Sequence, residues 1–212
     1  MRTVSITKAL TAASTNCIAL QQTVAGAGNV VLNGGSVTGG AFTLDTQRRI
    51  AIASDGNDSA ITATIYGNRA SGQLVVEVLA LTNAGTAVSV FDYLTGGTIA
   101  LSGAAANHIT IGTNGTGSTD WIMPNYHLTP FNVNIVNQVT GSVTWNLETT
   151  QDNTWYVPAV PANKPNVTAV VSGSSIAQET TLSAAVTGYR YTITAGTGTL
   201  AAQSTQSGIS NY

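Results

Sequence analysis

Between Ile61 and Leu79 the chain alternates with a period of two. Ile61, Ala63 and Ile65 are separated by Thr62, Thr64 and Tyr66, and Leu74, Val76 and Val78 are separated by Val75, Glu77 and Leu79. Successive side chains of a strand point to opposite faces, so this alternation predicts strands with one buried and one wetter face. The segment between them, "GNRASG", is bounded by Gly67 and Gly72 and predicts a β-hairpin with a longer loop at its surface tip. Shorter β-rich runs predict further strands over 87–91, 98–101, 108–111, 167–171, 181–186 and 189–194. A second hairpin is expected where Phe131, Val133 and Ile135 are followed by Gly141 and then by Val143, Trp145 and Leu147. Its parity puts Trp145 with Val143 and Leu147, in the core.

The breaks in the pattern set the expected organisation. "GTNGTGSTD", residues 112–120, is too glycine-rich for a strand and reads as a long connection. "VPAVPANKP", residues 157–165, holds four of the five prolines and reads as a rigid extended connection. The final "GTGTLAAQSTQSGISNY" is polar and expected to be loose. In the first forty residues only a short strand over 30–32 is expected, followed by a turn at Asn33-Gly34. Short strands between turns, with no long amphipathic helix, predict an all-β fold, an antiparallel β-sandwich of jelly-roll-like character. The expected division is an N-terminal arm and leading strand over 1–40, a β module over 41–125 and a second over 126–212, with one continuous sandwich as the alternative.

Composition narrows what such a fold can do. Charged residues are 8% of the 212, the hydrophobic share is 43% and the formal net charge is −2; Thr, Ser, Asn and Gly replace the missing charges. Nucleic acid is not an expected partner, because only Arg48 and Arg49 are adjacent and no basic patch forms. No apolar run reaches the roughly 20 residues that span a bilayer as a helix, so no membrane partner is expected. Lys8 and polar residues interrupt the N-terminal segment, so no export signal is expected there. Cys17 is the single cysteine and excludes an intrachain disulfide.

The expectation is a protein that is not an enzyme, with no catalytic residues, cofactor or metal. His108 and His127 are the only histidines and nothing in their spacing pairs them. "ASDGNDSA" gathers Asp55, Asn57 and Asp58 as calcium loops gather oxygens, but lacks the EF-hand spacing, and the same residues are what a turn requires. Aromatic residues supply the remaining candidates. Trp121, Tyr126, Trp155 and Tyr156 fall in expected connections, where they either cap the sandwich or anchor an interface. Together with the wetter face of Thr62, Thr64 and Tyr66 they are the interface candidates. A carbohydrate-binding module is a third functional class compatible with such aromatics.

The segments "RRIAIASDGNDSAITATIYGNRASGQLVVEVL", "STDWIMPN" and "GSVTWNLETTQDN" resemble virion structural proteins of tailed bacteriophages, over about residues 42–156. The resemblance implies a small β-rich head or tail component without enzymatic activity, made in the host cytoplasm and located in the virion. The leading expectation is a capsid decoration or cement protein, a homo-oligomer such as a trimer, whose partner is the major capsid protein or another virion protein. A tail, adaptor or fibre-associated component is the alternative.

Overall fold

The structure, a computed structural model, describes residues 2–125, 127–154 and 166–210. The fold is all-β, antiparallel and sandwich-like, with fourteen strands and no helix among the described residues. The strands are β1 (Arg2–Leu10), β2 (Ala19–Val24), β3 (Gly28–Asn29), β4 (Val37–Thr38), β5 (Ala41–Ser54), β6 (Thr62–Asn68), β7 (Leu74–Ala80), β8 (Thr86–Val88), β9 (Tyr93–Leu101), β10 (Ala105–Ser118), β11 (Leu128–Thr150), β12 (Thr168–Ser174), β13 (Glu179–Leu182) and β14 (Gly188–Ser210).

The described residues form two compact units. One is Ala13–Gly117; the other combines the chain up to Ala12 with the chain from Ser118 onward. These boundaries differ from 1–40, 41–125 and 126–212, because the expected arm is divided. β1 pairs with β14 over nine residues, from Arg2 opposite Gln206 to Leu10 opposite Gly198. The chain after Ala12 instead supplies β2, β3 and β4 to the other unit.

In the Ala13–Gly117 unit the strand order is β10-β5-β9-β6-β7, with β2 on β10, β3 on β9, and β4 and β8 on β5. Ile18, Phe42, Ile50, Ile65, Val75, Phe91, Tyr93, Ile99 and Ile109 are at most 2% exposed and fill its core. The hairpin of β6 and β7 forms as the alternation predicts, with seven unshifted pairs from Thr62 opposite Ala80 to Asn68 opposite Leu74. β7 ends the strand order, and β6 is its one partner strand among the described residues. The expected strand over 30–32 is absent; Gly28–Asn29 pairs with β9 instead.

Residues 112–118 are strand rather than connection, since β10 continues to Ser118. Glycine is what lets it do so. Ser14 and Thr15 lie so close to Gly112 that a Cβ would overlap their backbone, and the Thr113 N–H donates to the Ser14 carbonyl at 2.8 Å.

The second unit is built on two 23-residue strands, β11 and β14, with β12 and β13 on β11 and β1 on β14. The hairpin expected around Gly141 does not exist. β11 runs through it, and β14 pairs with both halves, from Leu128 opposite Ser210 to Thr150 opposite Gly188. Gly141, at φ +81°, lies opposite Gly198 and marks a local distortion rather than a reversal. The tail expected to be loose is therefore the partner that holds β11. Val133, Ile135, Val143, Trp145, Leu147, Tyr189, Tyr191 and Ile193 form this unit's core, each at most 3% exposed. Trp145 is fully buried, as its parity predicts, and its Nε1–H donates to the Ile176 carbonyl at 3.2 Å.

Candidate interface site

Thr62, Thr64 and Tyr66 lie side by side on the outer face of β6. Tyr66 is 43% exposed, whereas Thr62 and Thr64 are half-buried. The register extends the face in both directions: Ala80, Val78 and Val76 on β7 lie opposite these three, and Ala100 and Thr98 on β9 lie opposite Thr64 and Tyr66. Leu74 completes the β7 row and is 61% exposed; Val78 is 45% exposed. None of these nine side chains carries a charge. Large apolar side chains grouped on an open sheet face mark a contact surface more often than singly scattered ones do.

Among the described residues the β7 edge is open in a definite way. The Arg69 N–H donates to the Gln73 carbonyl and the Leu81 N–H to the Ile61 carbonyl, at either end of the hairpin. Antiparallel strands direct hydrogen-bonding groups alternately to one side and the other. The odd residues of β7 therefore face β6, and the N–H and C=O groups of Leu74, Val76, Val78 and Ala80 face away from it.

Charge is concentrated behind this face. Glu77, the one ionisable residue in β7, is fully buried. Its Oε1 accepts the Val90 N–H at 2.7 Å, and its Oε2 accepts the Phe91 N–H at 3.2 Å and the Tyr93 hydroxyl at 3.1 Å. Burial raises the Glu77 pKa above its ordinary value; the two backbone donors, the Tyr93 hydroxyl and the Arg49 charge only partly offset it. Burial and the neighbouring Glu77 charge push the Tyr93 phenol up. Arg49 Nε lies 3.9 Å from Asp92, and the adjacent Arg48 forms a two-point pair with Asp45 at 2.6 and 2.7 Å. Arg69, expected at a surface tip, is only 6% exposed, while the tip itself, Ala70–Gly72, is exposed. Gly67 makes room for this arrangement: a Cβ there would lie 2.7 Å from the Tyr93 ring. The cluster ties β7 to the 89–93 segment and so fixes the inner side of the exposed strand. A single carboxylate inside an apolar run was the sequence signal for it.

The other candidates are placed separately. The half-buried Trp121 has the Arg190 guanidinium 4.7 Å from its ring centroid, and Arg190 Nε donates to Glu148 at 2.7 Å. One face of this indole is thus occupied by a cation, which takes that face from any stacking role. Tyr126, Trp155 and Tyr156, and the 157–165 connection, lie outside the described residues.

In "ASDGNDSA" the acidic oxygens are committed to protein donors. Asp55 accepts the His108 backbone N–H at 2.9 Å and sits 3.0 Å from His108 Nδ1. Asp58 accepts the Ser54 hydroxyl and the Ala106 N–H, and Asn57 accepts the Ser59 N–H and hydroxyl. The Asn57 bonds to Ser59 are turn chemistry, whereas the long-range bonds of Asp55 and Asp58 fasten the loop to β10. Desolvation acts to raise the Asp55 pKa, but the hydrogen bonds and charge of His108 together hold it below its ordinary value. Among the described residues no three His, Cys, Asp or Glu side chains are grouped to hold a metal. No helix among them is long and apolar enough to cross a membrane.

Comparison with protein-family models, with curated protein sequences and with solved structures returned no match.

Proposed function

We propose that this chain is a non-enzymatic virion structural protein of a tailed bacteriophage, a capsid decoration or cement protein that bridges and stabilises major-capsid subunits. The observation that carries the reading is the uncharged outer face of β6, β7 and β9 beside an open β7 edge. A protein present in many neighbouring copies needs contact area without like-charge repulsion, and this face supplies it. The sequence resemblance to phage virion proteins points the same way.

A tail, adaptor or fibre-associated position is the second reading. The pairing of the two 23-residue strands β11 and β14 favours it. At about 3.3 Å per residue such a ribbon extends roughly 75 Å, a span suited to a projecting part.

Quantitative mass spectrometry of purified particles tests both. Copies on the order of hundreds per particle support decoration, and a low number set by the tail's rotational symmetry assigns the tail. Absence of the chain from particles refutes both. Heating particles that lack it provides the functional test, with unchanged head stability counting against a cementing role.

A further inference from the structure

From the β7 edge we infer a homotypic contact: two copies of this chain pair antiparallel through β7, about a two-fold axis at Val76, joining two β9-β6-β7 sheets into one. This contact does not depend on the virion reading, and it names a surface and a partner that reading leaves open.

Three observations carry it. First, among the described residues the edge lacks the usual protections. β7 has no Pro, no Lys and no register shift against β6, and its outward-facing backbone groups belong to Leu74, Val76, Val78 and Ala80. A regular apolar edge of this kind is a template for another strand.

Second, the sequence complements itself. With Val76 opposite Val76, Leu74 of each copy lies opposite Val78 of the other, so the outer face meets as apolar pairs. All three of these pairings fall on residues whose backbone groups face outward, which gives six new hydrogen bonds by the antiparallel rule.

Third, charge selects the register. An axis at Glu77 would set the two Glu77 side chains directly opposite, where like charges destabilise a strand pair. Moving the axis by one residue places each Glu77 opposite Val75 instead, and the buried carboxylate keeps its contacts to Val90, Phe91 and Tyr93. With no charge on the outer face, neither copy repels the other there.

The area sets the strength. Seven residues at about 3.3 Å each give an edge roughly 23 Å long, which covers a few hundred Å² per copy against about 800 Å² for a standard stable interface. The pairing is thus weak between free molecules. It gains strength where neighbouring copies are held close together, because effective concentration then replaces affinity.

Sedimentation velocity of the full chain over a rising concentration series tests this. Wild type should shift from monomer toward dimer. Val78→Lys places a charge on the edge, and Val76→Pro removes an outward N–H without touching the β6 ladder; both should stay monomeric with unchanged far-UV circular dichroism and melting. Val170→Lys, at an exposed position on β12, is the control and should associate like wild type. In a Cys17→Ser background, Val76→Cys copies should cross-link to one another on mild oxidation.

A wild type that stays monomeric throughout overturns the proposal, as does association that survives both β7 substitutions. If Val78→Lys instead unfolds the monomer, the edge is covered within the chain and the proposal fails. A dimer in which Val76→Cys does not cross-link overturns the register.

Discussion

Replacing Glu77 by alanine should destabilise the Ala13–Gly117 unit by about 3–5 kcal/mol. The substitution strands three donors, the Val90 and Phe91 N–H groups and the Tyr93 hydroxyl, that converge on a carboxylate with no exposed surface. Each buried donor left without a partner costs about 1–3 kcal/mol. Three at the middle of that range, less the relieved cost of burying the carboxylate, give the figure. Tyr93→Phe removes one donor and leaves the other two in place, so it should cost about 1 kcal/mol.

The pH dependence sharpens the test. Glu77 has a folded pKa raised above its unfolded value of 4.5. Its contribution is therefore fully present below about 4.5 and is lost as pH rises through the folded value. The stability gap between wild type and Glu77→Ala should be widest below pH 4.5, narrow as pH rises through the folded value and then level off.

The assay needs a probe of the correct unit. All three tryptophans, Trp121, Trp145 and Trp155, lie outside Ala13–Gly117, whereas Tyr66 and Tyr93 lie inside it. Urea unfolding followed by far-UV circular dichroism, which sees both units, alongside tryptophan emission, which sees only the other one, separates the two. Glu77→Ala should shift the transition seen by circular dichroism alone and leave the tryptophan-reported one in place. A gap that widens toward neutral pH, or a loss below about 1 kcal/mol, would refute the reasoning.

Three further outcomes are expected. Trp145→Ala should cost about 3–5 kcal/mol in the other unit, through the cavity it leaves, with the shift seen in the tryptophan-reported transition. Gly112→Ala should cost at least about 1–3 kcal/mol by overpacking, because its Cβ would overlap the Ser14 carbonyl, whereas Gly103→Ala, with open space around it, should be close to neutral in the same denaturation assay. Asp55 has a lowered pKa, so its contribution is present above about 3.8 and lost as pH falls through the folded value. Asp55→Asn should accordingly flatten the acid limb of the stability profile, and an unchanged limb would remove the His108 pairing from the account.

The β6–β7 hairpin was legible because its two strands alternate with a period of two and glycines bound the loop between them. β14 was legible only over 189–194, although its continuation obeys the same period. Its buried row over the C-terminal half is Leu200, Ala202, Ser204 and Gln206, of which only the first is a large apolar side chain. Their burial follows from lying between β1 and β11, a tertiary fact that hydropathy cannot carry. The misreading of β11 has the same origin. Phe131, Val133, Ile135, Val143, Trp145 and Leu147 share one parity across Gly141, so the period never resets as a hairpin would allow. The buried row simply passes through Asn137 and the half-buried Val139 on its way. Among the site residues, the Thr62, Thr64 and Tyr66 row was visible from alternation alone. Its continuation onto Val76 and Val78 was not, because β7 is apolar on both faces and only Glu77, committed inward, tells the two apart.

Composition promised a sparsely charged surface, and the structure makes the exposed charge sparser still. Arg48, Asp58, Arg69, Glu77 and Asp92 are each at most 6% exposed, from a chain with seven basic and nine acidic residues. Buried ion pairs seldom add net stability, since desolvation offsets their attraction. What these groups supply is position: a carboxylate that must meet two backbone N–H groups and a phenol admits one register of β7 against the 89–93 segment, where Val75 or Leu79 alone would tolerate several. Taking charge inside also removes it from the strand edge, where lysine would ordinarily block pairing. The same residues thus make the fold specific within a chain and leave its outer face permissive toward another chain, a combination suited to a part that works in contact with its neighbours.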